Sequence, residues 1–201
     1  MSKFVKLLGN PQLDFPVIHV AGTNGKGSVC AMLDSIYRAN GYKVGLFSSP
    51  HLIELGERIQ INGENITEDE INQWVDRLKP LAQKMEEDES ENHPTFFEFM
   101  TAIAFLHFQK HGVELAVIET GLGGRLDSTN VVAPELSIIT TISKDHCAIL
   151  GNSLEEITQE KAGIIKRETP VLIGDLPNCS VEVVQNIAIQ RNSELHSISH
   201  L

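Results

Sequence analysis

Three observations on this 201-residue chain predict an α/β fold with a mainly parallel, doubly wound sheet and a phosphate-binding loop. Five short apolar runs rich in branched residues, Val17–Ala21, Val44–Phe47, Leu115–Glu119, Leu136–Thr141 and Val171–Ile173, read as buried strands. Segments of helical period lie among them, and that alternation places helices on both faces of a parallel sheet. The first run leads directly into a glycine-dense turn, Gly22-Thr23-Asn24-Gly25-Lys26-Gly27-Ser28, which has the strand–loop–helix order of a phosphate cradle.

The elements follow in order. Ser28–Ala39 reads as the helix after the loop, with Val29, Met32, Leu33 and Ile36 on one buried face and Gly41 as its stop. Thr67-Glu68-Asp69-Glu70 is a capping box that opens a second helix, which Pro80 is expected to interrupt. The acidic stretch Met85–Asn92, with Glu86-Glu87-Asp88-Glu89 at its centre, reads as a solvated loop. Phe96–Phe108 is nearly all apolar, with Phe96, Phe99, Met100, Ile103, Ala104, Leu106 and Phe108, and predicts a largely buried helix. The tail Glu194–Leu201 reads as the start of another strand, with Leu195, Ile198 and Leu201 apolar. There is no internal repeat.

Composition narrows the function classes. With 41% hydrophobic residues the chain can build one core of ordinary domain size. Sixteen basic against 27 acidic residues give a net charge of −11, which argues against a nucleic-acid or anionic-membrane surface and makes any anion site local. Cys30, Cys147 and Cys179 are far apart without C-x-x-C spacing, so neither a zinc site nor a disulfide framework is predicted. No leader-like N-terminus is present, and no run approaches the ~18 apolar residues that span a bilayer. A cytoplasmic location is expected.

In doubly wound sheets, ligands collect beyond the carboxyl ends of the strands. Gly22–Ser28 follows the first strand, Ser48 and Ser49 the second, Glu119 ends the third, and Asp145-His146 follows the fourth. Backbone N–H groups of the glycine loop can converge on phosphate oxygens while Lys26 bridges β- and γ-phosphates. The loop is a variant, because Gly27 separates Lys26 from Ser28 where G-x-x-x-x-G-K-[ST] would join them. A nucleoside triphosphate brings a hard divalent cation, for which Glu119 is a natural oxygen ligand. Taken singly, Ser49 reads equally as a helix cap, Glu119 as a surface acid, His146 as a loop histidine and Lys161 as a solvated lysine. Gly121, Gly123 and Gly124 suggest a dinucleotide fingerprint, but Leu126 stands where the third glycine is required.

The loop Gly-Thr-Asn-Gly-Lys-Gly-Ser resembles that of the Mur ligase superfamily in its folylpolyglutamate synthase and dihydrofolate synthase branch. Six further blocks carry the resemblance in order: Ser48–Leu52, Glu57–Ile59, Phe96–Phe99, Glu119–Asn130, Asp145-His146 and Glu160–Ile165. It implies that Gly22, Thr23, Asn24, Gly25, Lys26, Gly27 and Ser28 hold ATP and that Ser49, Glu119 and His146 hold Mg2+. It implies a carbamylated Lys161 near that metal, so that Lys26, His146 and Lys161 form the catalytic set. Thr95, Phe96, Phe97, Leu126, Asp127 and Ser128 fall on the pterin side, although Phe96 and Phe97 read equally as core packing. His51–Ile61 resembles a loop over this pocket, with Arg58 able to meet an anion. Lys144 departs from the apolar residue common in relatives.

The implied activity is an ATP-dependent amide ligase joining L-glutamate to dihydropteroate or reduced folates through an acyl phosphate. A monomer with no nucleic-acid or membrane partner is expected. Family members begin tens of residues earlier and continue into a smaller C-terminal domain, so residues 1–201 are expected to be the ATP-binding domain, truncated at both ends. The rival readings are a nucleotide-binding fragment that does not ligate, or another P-loop NTPase or kinase; a GTPase would need an Asn-Lys-x-Asp, which the chain lacks.

Overall fold

The structure, a computed structural model, describes residues 1–88 and 93–198. Its elements run α1 (Ser2–Leu7), β1 (Val17–Ala21), α2 (Lys26–Ala39), β2 (Val44–Phe47), β3 (Ile59–Ile61), β4 (Glu64–Asn65), α3 (Glu68–Asp88), α4 (Phe96–His111), β5 (Leu115–Glu119), β6 (Leu136–Ile139), α5 (Cys147–Leu150), α6 (Leu154–Ala162), β7 (Val171–Ile173), α7 (Asn178–Arg191) and β8 (Leu195–Ser197). One sheet has the order β4-β3-β2-β5-β1-β6-β7-β8. All neighbours pair in parallel except β2–β3 and β3–β4, which form an antiparallel edge.

The topology places the site. After β5 the chain crosses β1 to reach β6 and then continues away from it, so strand order reverses around β1. The register sets Val20 beside Glu119 and Ala21 beside Ile139, which brings the carboxyl ends of β1, β5 and β6 level. One face of the sheet packs on α1, α3 and α4 through Phe4, Phe47, Trp74, Phe105 and Phe108, each worth about 1.5–3 kcal/mol of transfer free energy when buried. α2 covers Ile18, Val20, Val44 and Leu46, while Ile157 of α6 and Val184 of α7 pack over Ile139 and Val171.

Several expected elements differ. α2 begins at Lys26, and its inward residues are Cys30 and Asp34; Met32 and Ile36 are 56% and 57% exposed. The inward stripe is rotated because Cys30, flanked by the partly buried Val29 and Leu33, is what fits against β1 and β2. The capping box forms, with Glu70 N–H donating to Thr67 Oγ1 at 3.3 Å and Thr67 N–H to Glu70 Oε2 at 3.0 Å. Pro80 does not interrupt that helix: α3 runs through it to Asp88. Pro80 sits on the exposed side while Leu78, Ala82 and Met85 are buried, and their burial offsets the ~3 kcal/mol that an interior proline costs. Met85–Asp88 therefore closes a helix instead of opening a loop; Glu89–Asn92 lies outside the described residues.

α4 is buried from Met100 to Phe108, but Phe96 at its start is 59% exposed. β6 stops at Ile139, which frees Thr140 and Thr141 for the glycine loop. Among the described residues of the tail, Leu195–Ser197 form β8 and Ile198 is exposed; Leu201 lies outside the described residues. The sequence reading missed the β3–β4 edge, a hairpin turned by Asn62 and Gly63 at positive φ, and helix α7. Among the described residues the three cysteines are free, and no helix is long and apolar enough to cross a membrane.

Candidate nucleotide and substrate site

The glycine loop is pinned to the end of β6. Thr23 N–H donates to Thr141 O at 2.8 Å, Asn24 N–H donates to Thr141 Oγ1 at 3.0 Å, and the Thr140 hydroxyl donates to Asn24 O at 2.7 Å. Gly22 is obligatory here: its φ is +151°, and a Cβ would lie 1.9 Å from Thr140 Oγ1. Gly25, at φ +81°, is the residue before α2, and among the described residues no side chain caps that helix. The first turn of a 14-residue helix thus presents N–H groups and the positive end of its dipole to the mouth.

Two ammonium groups meet over this loop. Lys26 Nζ donates to Gly22 O at 3.2 Å and Thr23 O at 3.3 Å, and Lys161 Nζ donates to Gly22 O at 2.8 Å. Lys161 is 4% exposed, so it is not the solvated lysine that its helix position alone suggests. Burial, and then the charge of Lys26, pull its pKa down to about 8, against the smaller opposing pull of Asp145 and Asp127. α6 is fixed there by close backbone packing. A Cβ on Gly124 would lie 2.5 Å from Lys161 O, one on Gly163 would overlap Arg125, and Arg125 holds Glu160 Oε1 at 2.8 and 3.0 Å. The glycines at 124 and 163 were the available sequence signal for this docking.

Glu119 ends β5 at 4% exposure, with Oε2 accepting the Ser49 N–H at 3.1 Å. Its two oxygens lie 3.7 and 3.9 Å from where a Cβ on Gly27 would sit, so the carboxylate faces the first turn of α2. Burial raises its pKa, opposed by the Ser49 N–H and Lys26. A buried carboxylate with no ion pair within 4 Å among the described residues suits a hard divalent cation. His146 is the exposed member of the expected metal set. It sits at φ +49° before α5, its side chain is 57% exposed, and its charged neighbour is Asp145 at 3.7 Å.

A cleft of about 550 Å³ is lined by Ser49, Arg58, Phe97, Leu126, Asp127, Ser128, Ile149, Leu150 and Glu160. The Thr95–Phe97 stretch divides. Thr95 caps α4 by accepting Glu98 N–H, Phe96 lies outside under the Arg58 guanidinium at 5.6 Å, and Phe97 lines the cleft while packing on Phe47. Asp127 is structural as well as lining: it accepts Leu122 N–H at 2.8 Å and the N–H and hydroxyl of Thr129 at 2.9 and 2.6 Å. Because the Thr129 hydroxyl donates to Asp127, it accepts from His19 Nε2 at 2.8 Å, which sets the tautomer of that fully buried histidine. The sequence reading did not single out His19, Thr129 or Asp127's anchoring role.

Residues 20–200 match the Mur ligase middle domain. The chain belongs to the Mur ligase family. This Mur ligase chain is 43% identical over 199 residues to the dihydrofolate synthase/folylpolyglutamate synthase of Bacillus subtilis (strain 168), an alignment covering 98% of the chain and 46% of that protein. It superimposes on a Mycobacterium tuberculosis folylpolyglutamate synthase complexed with ADP at TM-score 0.93 and 36% identity, over 98% of this chain and 45% of that one. An FPGS-AMPPCP-folate complex gives TM-score 0.93 at 37% identity, over 97% and 48%. The Mur ligase chain spans just under half the length of each of these three proteins.

Proposed function

We propose that this chain is the ATP-binding part of a ligase that joins L-glutamate to dihydropteroate or to reduced folates. The observation that carries this reading is the meeting of Lys26 and Lys161 on the Gly22 carbonyl at the start of α2, with a cleft whose lining includes Ser49 and Glu160. Relatives named as dihydrofolate and folylpolyglutamate synthases, and a neighbour bound to AMPPCP and folate, support it.

In the reaction, a carboxylate oxygen of the pteroate or folate attacks the γ-phosphorus of ATP and ADP leaves. The glutamate amine then attacks the acyl carbon, loses a proton, and phosphate departs with the C–O bond electrons. Lys26 and the N–H groups of the loop neutralise charge on the transferring phosphoryl. Glu119, with Ser49 and His146, would hold Mg2+, which supplies charge neutralisation at the phosphates when bound. Arg58, Phe97, Leu126, Asp127 and Ser128 hold the pterin-bearing substrate, with Thr95 and Phe96 at the rim.

We further read Lys161 as a site of carbamylation. Its pKa of about 8 leaves a useful fraction as the neutral amine at pH 7 to 8, which attacks CO2 to form an N–C bond and releases one proton, giving an anionic carbamate. The protein is read as a cytoplasmic monomer with no nucleic-acid or membrane partner. ATP hydrolysis that requires dihydropteroate or folate together with glutamate, in a protein comprising this chain and the remaining length of its relatives, tests the assignment. Hydrolysis indifferent to both would favour a plain nucleotidase.

A further inference from the structure

We propose that Glu70, His107 and His111 form a binding site for a borderline divalent transition-metal ion of the zinc class, which clamps α3 to α4. His107 and His111 lie one turn apart on the same side of α4, with ring centroids 4.4 Å apart. Glu70 faces them from the first turn of α3. One ring nitrogen from each histidine and one carboxylate oxygen of Glu70 lie within 4.8 Å of one another. His111 Nε2 stands 3.8 Å from Glu70 Oε1, close to the ~3.4 Å between two ligands held by ~2.0–2.1 Å bonds to a tetrahedral ion.

The surroundings orient these groups. Glu70 Oε2 is already held by the N–H and hydroxyl of Thr67 at 3.0 and 2.8 Å, which leaves Oε1 turned toward the histidines. Among the described residues His111 Nε2 is buried without a hydrogen-bond partner, an uncompensated polar atom that a metal bond would satisfy. Two imidazoles and a carboxylate suit zinc-class ions, whereas Mg2+ prefers an all-oxygen shell. Glu70 and His111 are only partly buried, which leaves an approach from solvent. The cluster lies roughly 15–20 Å along α4 from Phe97, at 1.5 Å per residue, so it is separate from the cleft. Arg77 and Lys110 lie over the Trp74 ring nearby, at 5.3 and 5.6 Å.

The site carries its own reporter. Trp74, the chain's single tryptophan, donates Nε1–H to His107 Nδ1 at 3.5 Å. A metal on either nitrogen of His107 breaks that contact: it occupies Nδ1 directly, or it takes Nε2 and moves the proton to Nδ1, where it faces the indole N–H. The test is titration of Zn2+ into the metal-free chain, followed by tryptophan emission, with Mg2+ as control. The expected result is a saturable change at one ion per chain with Zn2+ and none with Mg2+. It should be weakened about tenfold or more in His111→Ala and in Glu70→Gln, both with unchanged circular dichroism. Glutamine keeps the cap on α3, so that variant isolates the metal ligand. No saturable change in the parent chain, or an equal one in either variant, overturns the proposal and leaves an ordinary histidine–glutamate pair.

Discussion

The buried ammonium of Lys161 donates to the carbonyl of Gly22 at 2.8 Å across 139 positions of sequence, on the same oxygen that Lys26 approaches. Two cations on one carbonyl leave positive charge to be met by a ligand, and burial brings the neutral amine that the proposed carbamylation needs within reach of ordinary pH. On the proposed function, Lys161→Ala is expected to lower ligation roughly 100-fold in a protein comprising this chain and the remaining length of its relatives, the scale of losing one electrostatic contact to a transition state. A short carboxylic acid should restore part of it by filling the carbamate's space. Rescue by a primary amine instead of a carboxylate would contradict the carbamate reading.

Gly22 tests the geometry of the loop independently of charge. Gly22→Ala should abolish nucleotide binding, because its Cβ would lie 1.9 Å from Thr140 Oγ1 at a φ of +151°. Adding Thr140→Ala removes the clashing oxygen and should recover folding stability but only part of the binding, since Thr140 also holds Asn24. Thermal melts beside an ATP titration would check both. A single mutant with unaltered affinity would show the loop placed elsewhere.

His19 gives a pH dependence of stability. Burial, aided by Lys166, lowers its pKa from 6.5 to about 3 in the folded state. Below pH 6.5 the unfolded chain therefore binds a proton that the folded chain refuses. The stabilisation is complete above that pH and is lost as pH falls toward 3, at about 1.4 kcal/mol per unit. His107, lowered to about 4 chiefly by burial, acts in the same direction. Chemical denaturation at pH 7, 5 and 4 should give a shallower decline for His19→Gln, which can still donate to Thr129. An identical slope would place the acid lability in other groups.

Glu119→Gln removes the charge while keeping an acceptor for the Ser49 N–H. Ligase activity should then require a higher Mg2+ concentration, by about tenfold or more, with little change in melting temperature. An unchanged metal requirement would remove Glu119 from the metal set.

Much of this was legible in the sequence because it is local. The strand before the loop, the capping box at Thr67 and the buried run of α4 each follow from a few neighbouring residues. Misreadings came where tertiary packing decides. Pro80 is tolerated because the opposite side of α3 is anchored, and Met32 and Ile36 face outward because Cys30 sets the stripe of α2. Within the site, strand order alone set Gly22–Ser28, Ser48, Ser49, Glu119 and Asp145-His146 at one mouth; Lys26 and Lys161 share the Gly22 carbonyl, and Glu119 bonds Ser49 N–H and faces the first turn of α2. The division of Thr95, Phe96 and Phe97 among cap, rim and cleft depends on where α4 starts relative to Gly121, which adjacent residues do not encode. His146 remains exposed beside Asp145, and nothing in its local sequence separates a ligand from a surface histidine.

Isolation of nucleotide binding from ligation offers a separate check. The relatives that carry the named activity are about twice as long as this chain, and holding amine and acyl phosphate together can account for roughly 7–11 kcal/mol of barrier. Residues 1–201 alone should bind ATP weakly and transfer negligible glutamate. Rates equal to those of a full-length relative in the same assay would show that ligation needs nothing beyond them.

The central claim is that the loop from Gly22 to Ser28 binds the phosphates of ATP through Lys26. Isothermal titration of ATP with Mg2+ into this chain and into its Lys26→Ala variant tests it most directly. Binding by the parent chain and a loss of about 100-fold in the variant, with unchanged circular dichroism, is the predicted result. Equal affinity for the two proteins would contradict it.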